Sequence, residues 1–231
     1  METWFTDNAI YFLAAAGCIL NFFWLRSFSG ILKFPASLTA ALSLVYAALD
    51  YLFVKVFAVI EYLDLSAFSK MSLFGAIFFM PFALWGIAKV SGIKPALLLD
   101  ISTPGLLCFL MCGRINCLIT GCCYGTEFNE NFRWPVREAE IAFYLVLIII
   151  FGIRLKKGKA AGRYYAVFLA AYGVFRFLAE FVRYFPDQDG LWHRGHIFAV
   201  ISLIAGIIWL VSGRRAESKE NGTIKVLHMP E

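Results

Sequence analysis

One apolar stretch of the chain carries polar side chains at a helical spacing. Within residues 172–185, four of them recur at intervals of four, four and three residues: Tyr172, Arg176, Glu180 and Arg183. This spacing places them on one face of a helix. One interpretation is a structural ion pair between Arg176 and Glu180, with Arg183 reaching the interface. We favour a polar face that lines a cavity, because charges at membrane depth are costly and an arginine fork matches the oxygens of a lipid phosphate.

A second cluster combines an arginine with glycines and cysteines in residues 112–128, CGRINCLITGCCYGTEF. Arg114 follows a glycine directly, and Gly121 and Gly125 flank two adjacent cysteines and a tyrosine. A glycine-rich turn at membrane depth is tolerated only where it lines a cavity or is buried in protein. A plain helix end would explain the glycines but not an arginine among cysteines.

The chain has six cysteines, and four belong to this cluster: Cys112, Cys117, Cys122 and Cys123. The other two, Cys18 and Cys108, are expected to be small apolar packing residues. For the cluster, an outward-facing disulfide, a metal site completed by His193 or His196, and a reactive thiol beside Arg114 are three open interpretations. Because the spacing lacks a CxxC pair, we expect no metal and no other cofactor.

Acidic, arginine and histidine side chains also occur in two shorter segments. These are residues 131–144, NFRWPVREAEIAFY, and residues 191–198, LWHRGHIF. Glu138 lies in the first turn of a predicted helix, where the helix dipole explains an acid. Glu140 lies deeper and is better placed to face a cavity. Histidines near an interface are more often ordinary hydrogen-bonding residues than catalysts, but His196 lies just inside an apolar run and therefore ranks above His193.

The composition of the chain determines which elements position these residues. Of 231 residues, 61% are hydrophobic and 16% are charged, whereas soluble domains contain about half and about a quarter. The net charge of +5 reflects basic residues at helix ends, so we expect no nucleic-acid partner. Seven segments approach the roughly 20 apolar residues that cross a bilayer: 9–26, 36–60, 72–90, 96–112, 138–153, 164–184 and 195–212. They predict an all-α integral membrane protein with about seven transmembrane helices.

Basic residues predict the orientation of these helices. The loops on one side, together with the C-terminal tail, hold 13 Lys and Arg residues, and the opposite side holds 6. Because cytoplasmic loops collect Lys and Arg, we expect the N-terminus and loop 113–137 outside and the C-terminus in the cytoplasm. Residues 1–212 would form one transmembrane domain, and residues 213–231 a short cytoplasmic tail, disordered from residue 216. Residues 1–8 lack a basic n-region, so the first helix is expected to remain as an anchor.

Taken in order, the motifs resemble those of the prolipoprotein diacylglyceryl transferase family over about residues 94–212. The family signature GRxxNFxNGExxG is matched by Arg114 with its preceding glycine and by Gly125. The YGxxRFxxExxR helix matches best, beginning at Tyr172. Three further matches are shorter. The family's HPSQLYE-like segment resembles WPVREAE here, and its G-Q-I motif resembles GHI. Its D-x-x-x-P motif resembles DISTP, which begins at Asp100.

The chain also departs from the family pattern at several positions. Cys122 stands where the family has an acid, and Cys117 where it has an asparagine. Arg137 and His196 replace glutamines, and no His-Gly-Gly occurs in the third predicted helix. The arginines suited to an anionic lipid are therefore kept, whereas residues expected to handle protons are changed.

The resemblance implies transfer of a diacylglyceryl group from phosphatidylglycerol, or another anionic phospholipid, to the lipobox cysteine of a preprolipoprotein. It implies a multi-pass protein of the bacterial cytoplasmic membrane. We expect Arg114 and Arg176 to converge on one outward-opening cavity and stabilise the phosphate leaving group, with Glu140 and Glu180 orienting them. The predicted catalytic residues are Arg114, Arg176, Glu140, Glu180, His196 as the base, and Cys122. The predicted substrate-binding residues are Arg114, Arg137, Tyr172, Arg176, Arg183 and Gly125.

Two other functions stay open from the sequence. A paralogous lipid or acyl transferase of the same fold could use Cys122 or Cys123 as a nucleophile and serve a different acceptor. A non-enzymatic lipid-binding membrane protein would need the arginines but neither a base nor a reactive thiol.

Overall fold

The computed structural model describes residues 2–129, 132–158, 162–184 and 192–227, without the side chains of residues 2–7 and 214–227. Within these ranges the chain is predominantly helical, which confirms the all-α prediction. The helices are α1 Glu2–Arg26, α2 Ser29–Leu32, α3 Ala36–Tyr62, α4 Phe74–Val90, α5 Pro95–Ile119, α6 Val136–Lys156, α7 Tyr164–Phe181 and α8 Arg194–Leu227. A short 3-10 helix covers Leu65–Ser69, and strands β1 Glu127–Asn129 and β2 Phe132–Arg133 form an antiparallel pair.

Each predicted segment corresponds to one long helix, but α5 and α8 extend at least seven residues past their predicted C-terminal ends. Helix α5 continues to Ile119 rather than residue 112, because Arg114, which suggested a helix end, is paired with an acid inside the protein. Helix α8 continues to Leu227 rather than residue 212. Residues 216–227, for which the sequence predicts disorder, are helical in this structure. Residues 228–231 lie outside the described residues.

Among the described residues, five helices are long and apolar enough to cross a membrane: Asn8–Arg26, Ala36–Tyr62, Pro95–Ile119, Tyr164–Phe181 and Arg194–Gly213. Helix α4 is equally apolar in character but has 17 residues. Helix α6 has 21 residues and carries charges near both ends. The protein is therefore a multi-pass membrane protein.

Helix α5 lies at the centre of the bundle. Of its most apolar 18-residue segment, 72% is buried inside the protein, against 50% or less for the other four membrane-length helices. It packs against α1, α4, α6 and α7. Side chains from two neighbouring helices bind its backbone: Trp24 Nε1 donates to the Ile101 carbonyl at 2.7 Å, and the Tyr46 hydroxyl donates to the Ser102 carbonyl at 3.2 Å. These bonds hold the helix that carries Arg114.

A buried carboxylate connects α5 to the start of α7. The backbone N–H groups of Gly162 and Tyr164 donate to the Asp100 carboxylate at 2.6 and 2.8 Å. The first N–H groups of a helix have no partner within the helix, so an acid at this place caps α7 from outside. At the other face of α7, Gly173 allows close packing, since a Cβ there would overlap the α8 backbone at Ala199. Both contacts position the charged face of α7.

Candidate functional site

A network of buried charges connects α5, α6 and α7. Glu140 Oε2 lies 2.8 Å from Arg114 Nε and 3.3 Å from Arg176 Nη1. Arg176 Nη2 lies 2.9 Å from Glu180 Oε2. All four side chains are buried, with 5% or less of each residue exposed. The prediction that Arg114 and Arg176 converge is confirmed, because one carboxylate oxygen contacts both.

Local helical spacing supports this network. The Tyr144 hydroxyl donates to Glu140 Oε1 at 2.8 Å from one turn further along α6. Arg176 and Glu180 are likewise one turn apart in α7. Buried charges are stable only when they are paired and hydrogen-bonded, and these contacts meet that condition for Glu140. The sequence analysis missed Tyr144, although its i+4 spacing from an intramembrane acid is a usable signal.

A cavity of about 490 Å³ opens beside the network. This volume is within the usual range for small-molecule sites. Its lining includes five cationic side chains and two acidic ones: Lys70, Arg114, Arg176, Arg183, Arg194, Glu61 and Glu180. The lining therefore carries an excess of positive charge, which suits an anionic ligand.

Some predicted site residues line this cavity and others support it. The lining contains six of them: Arg114, Tyr172, Arg176, Glu180, Arg183 and Cys122. Glu140 lies behind the two arginines that it pairs. Arg137 is not part of the lining, since its Nη1 lies 3.3 Å from the carbonyls of both Cys117 and Cys122. Its position indicates a brace for the turn after α5 rather than a ligand contact.

Gly125 also acts through neighbouring backbone. It forms an antiparallel bridge with Arg183, flanked by a hydrogen bond from the Thr126 N–H to the Val182 carbonyl at 2.8 Å. A Cβ at Gly125 would overlap the Trp134 carbonyl. A glycine is therefore required where the loop passes between α7 and the start of α6, and the bridge positions Arg183 at the cavity.

His196 lies in an aromatic environment and does not line the cavity. It is 1% exposed, and its Nδ1 accepts a hydrogen bond from the His193 N–H at 3.1 Å. Its ring centroid lies 4.5 Å from that of Phe181 and 5.3 Å from that of Phe177. His193 contributes to the lining instead. His193 rather than His196 therefore faces the cavity, because the first turn of α8 rotates His196 into the helix packing.

The turn after α5 brings three cysteines together. The Sγ atoms of Cys117, Cys122 and Cys123 lie within 4.8 Å of one another, and all three residues line the cavity. All six cysteines of the chain are free thiols in this structure. Hydrogen bonds with the Cys117 and Cys122 thiols, together with the charges of Arg183 and Arg114, lower the pKa of the Cys123 thiol.

Several lining residues escaped the sequence analysis because they come from the segment between α3 and α4 and from the start of α8. Arg194 Nη1 donates to the Glu61 carbonyl at 2.9 Å, and the Lys70 ammonium lies 4.1 Å from the centroid of the Tyr62 ring. The first of these contacts joins residues 133 positions apart in the chain. No local pattern in the sequence marks them.

The fold and the site define a class: multi-pass α-helical membrane proteins with a cationic cavity over a buried arginine–carboxylate network. A family model described as prolipoprotein diacylglyceryl transferase matches residues 30–212, most of the chain. The chain belongs to the prolipoprotein diacylglyceryl transferase family.

Individual relatives agree with this family. The chain is 29% identical over 133 residues to a phosphatidylglycerol–prolipoprotein diacylglyceryl transferase of Dehalococcoides mccartyi, covering 51% of each chain. It is 30% identical over 141 residues to phosphatidylglycerol–prolipoprotein diacylglyceryl transferase 2 of Clostridium perfringens, covering 54% of this chain and 55% of the relative. For the Neisseria gonorrhoeae protein of the same name the identity is 26% over 180 residues, covering 61% and 64%. The matches thus span about half the length of the first two relatives.

Proposed function

We propose that this protein transfers a diacylglyceryl group from phosphatidylglycerol to the lipobox cysteine of a preprolipoprotein. The observation that carries the proposal is the single Glu140 carboxylate that holds Arg114 and Arg176 together beside a cationic cavity. The names of the relatives supply the two substrates. The reaction requires fixed positive charge beside the phosphate that leaves, and this site provides it.

The reaction breaks one bond and forms another at a glyceryl carbon. The substrate thiol sulfur attacks the carbon that bears the phosphate, so that a C–S bond forms, the C–O bond breaks, and glycerol phosphate leaves with the electron pair. Arg114 and Arg176 stabilise the charge that develops on the phosphate, and their pairing with Glu140 and Glu180 keeps them oriented before the reaction. A site poor in water strengthens this effect.

A base must accept the proton of the substrate thiol. His193 lines the cavity, whereas His196 is packed among aromatic rings. We therefore assign the role of candidate base to His193 rather than to His196. A general base has to lie within hydrogen-bond reach of the proton that it removes.

The proposed topology has seven transmembrane helices in one domain, residues 1–212, with a cytoplasmic tail at 213–231. The cavity lining comes mainly from the C-terminal parts of α3, α5 and α7, the segment that leads into α4, and the start of α8, which all lie at one end of the bundle. The basic asymmetry of the loops assigns this end to the outer face of a bacterial cytoplasmic membrane. Reporter fusions after residues 66, 128 and 158 should read outside, outside and inside, and the reverse at two of these sites contradicts the topology.

Reconstitution tests the reaction directly. The full-length protein in vesicles of phosphatidylglycerol should add the mass of one diacylglyceryl group to a lipobox peptide. A peptide with serine in place of the lipobox cysteine, and vesicles of phosphatidylcholine alone, should give no addition. Binding of phosphatidylglycerol without any peptide product would instead support the non-enzymatic lipid-binding function.

A second candidate is a transferase that uses its own thiol. Cys122 is exposed and lines the same cavity as Arg114 and Arg176. Nucleophilic attack by this sulfur would leave the lipid on the protein before transfer to another acceptor. Intact-mass measurement of the protein after incubation with phosphatidylglycerol distinguishes the two mechanisms, since only the second leaves a protein–lipid adduct.

A further inference from the structure

Three sulfur atoms meet at the edge of the cavity, although the transfer reaction described above requires none of them. Cys117 lies in the last turn of α5, and Cys122 and Cys123 follow after four intervening residues. Their Sγ atoms lie within 4.8 Å of one another. Cys18 and Cys108, in contrast, lie within membrane-spanning helices as expected for packing residues.

The turn is held in a demanding conformation. Gly121 has φ +68° and Cys123 has φ +58°, so a non-glycine residue occupies the left-handed region. Non-glycine residues in this region are uncommon, and they concentrate at functional sites. Arg137 fixes the turn by donating to the carbonyls of Cys117 and Cys122. The backbone is thus constrained in the arrangement that brings the sulfurs together.

We propose that Cys117, Cys122 and Cys123 form a binding site for a thiophilic metal ion such as Zn²⁺. Zinc–sulfur bonds of about 2.3 Å in a tetrahedron place sulfurs about 3.8 Å apart, so the cluster needs to close by at most about 1 Å. Thiolate ligands select zinc and monovalent copper over oxygen-preferring ions. Three protein ligands leave the fourth position of a tetrahedral site for water, because the three cysteines line the cavity.

The electrostatics of the cavity suit such a complex. Coordination of one divalent ion by three thiolates releases up to three protons and leaves a net charge of about −1 at the metal. Arg114 and Arg183 line the same cavity as the cysteines and offset this charge. Cys122 is exposed, which gives an ion a route from solvent.

Cadmium titration tests the site without lipid or peptide, so that its result is independent of the transfer reaction. Reduced full-length protein in detergent should bind one Cd²⁺ per chain, with ultraviolet thiolate-to-metal charge-transfer absorption. Serine substitution at any one of the three cysteines should weaken binding by at least about tenfold, since even changes around a metal's ligands cost that much. Cys18→Ser and Cys108→Ser are matched controls and should bind as the wild type does.

Alkylation of the wild-type protein is a second test, and its result does not depend on whether the variants fold. Cd²⁺ should protect all three clustered cysteines from N-ethylmaleimide, as mapped by peptide mass spectrometry. Binding that survives Cys123→Ser unchanged, or protection of fewer than three of these cysteines, would overturn the proposal. A disulfide between two of the three cysteines that persists in the presence of reductant would overturn it as well.

Discussion

Helix α5 carries two buried ionisable residues about four turns apart, Asp100 and Arg114, and their surroundings differ. Asp100 is closed off, because backbone N–H groups of Gly162 and Tyr164 occupy its two carboxylate oxygens. Arg114 pairs with a side chain, Glu140, and also lines the cavity. Burial of a charge inside a membrane protein therefore does not by itself mark a reacting group. Its partner and its access to a cavity distinguish a structural charge from a functional one.

The largest effect is expected at Glu140, which holds both arginines. Glu140→Gln removes the charge that compensates them, and breaking a buried ion pair costs about 3–5 kcal/mol of stability. Because the arginines also lose their orientation, turnover should fall by roughly 10²–10³-fold. Thermal unfolding in detergent and the peptide-modification assay measure the two effects.

Glu138→Gln is the matched control for this change. Glu138 lies in the same helix, is half-exposed, and is 3.6 Å from Arg137. Exposed pairs contribute about 0–1 kcal/mol, so stability and turnover should stay close to wild type. Equal losses of stability and turnover in the two variants would mean that the total charge at this end of α6, rather than the buried network, is responsible for the effect.

Arg176→Lys should have the next largest effect. The charge is kept, but a lysine cannot contact Glu140 and Glu180 with two nitrogens and still present a planar fork to a phosphate. Loss of one charge-assisted hydrogen bond, about 1.5–3 kcal/mol, predicts a fall in turnover of roughly 10–100-fold. Arg133→Lys in the exposed hairpin is the control, and near-normal turnover of Arg176→Lys would show that any cation suffices there.

Asp100→Asn should affect stability and leave the chemistry intact. An amide offers one acceptor where two N–H donors of α7 need partners, so the loss should be about 1–3 kcal/mol. Turnover per folded molecule should remain near that of the wild type, because Asp100 does not line the cavity. A large fall in turnover at an unchanged melting temperature would contradict the structural role that separates Asp100 from Arg114.

The smallest effect on transfer is expected at Cys122. The family reaction uses the thiol of the substrate, so Cys122→Ser should change turnover by less than about threefold, as should Cys123→Ser. A well-folded but inactive Cys122→Ser protein, beside a wild type that carries lipid on Cys122, would instead establish the covalent mechanism. Activity and intact-mass measurements on the same preparations decide between them.

The membrane class, the approximate helices and most of the charged site follow from the amino-acid sequence alone. Hydrophobic runs of about 20 residues can satisfy their backbone in lipid only as helices or a closed barrel, so composition and length were sufficient for the elements. The spacing of Arg176 and Glu180 showed one helical face, because that relation is local. The same i, i+4 spacing on one helical face would also have identified Tyr144 as a neighbour of Glu140.

The contacts between polar groups of different helices depend on how the helices pack in three dimensions. Glu140 bridges two other helices, Asp100 caps a helix more than sixty residues away, and His196 turns into aromatic packing. The three sulfurs converge because a left-handed turn, braced by Arg137, folds back on the end of α5. These relations depend on helix rotation and loop path, which hydrophobic periodicity leaves undetermined, since a run that is apolar all round does not reveal which side faces the protein.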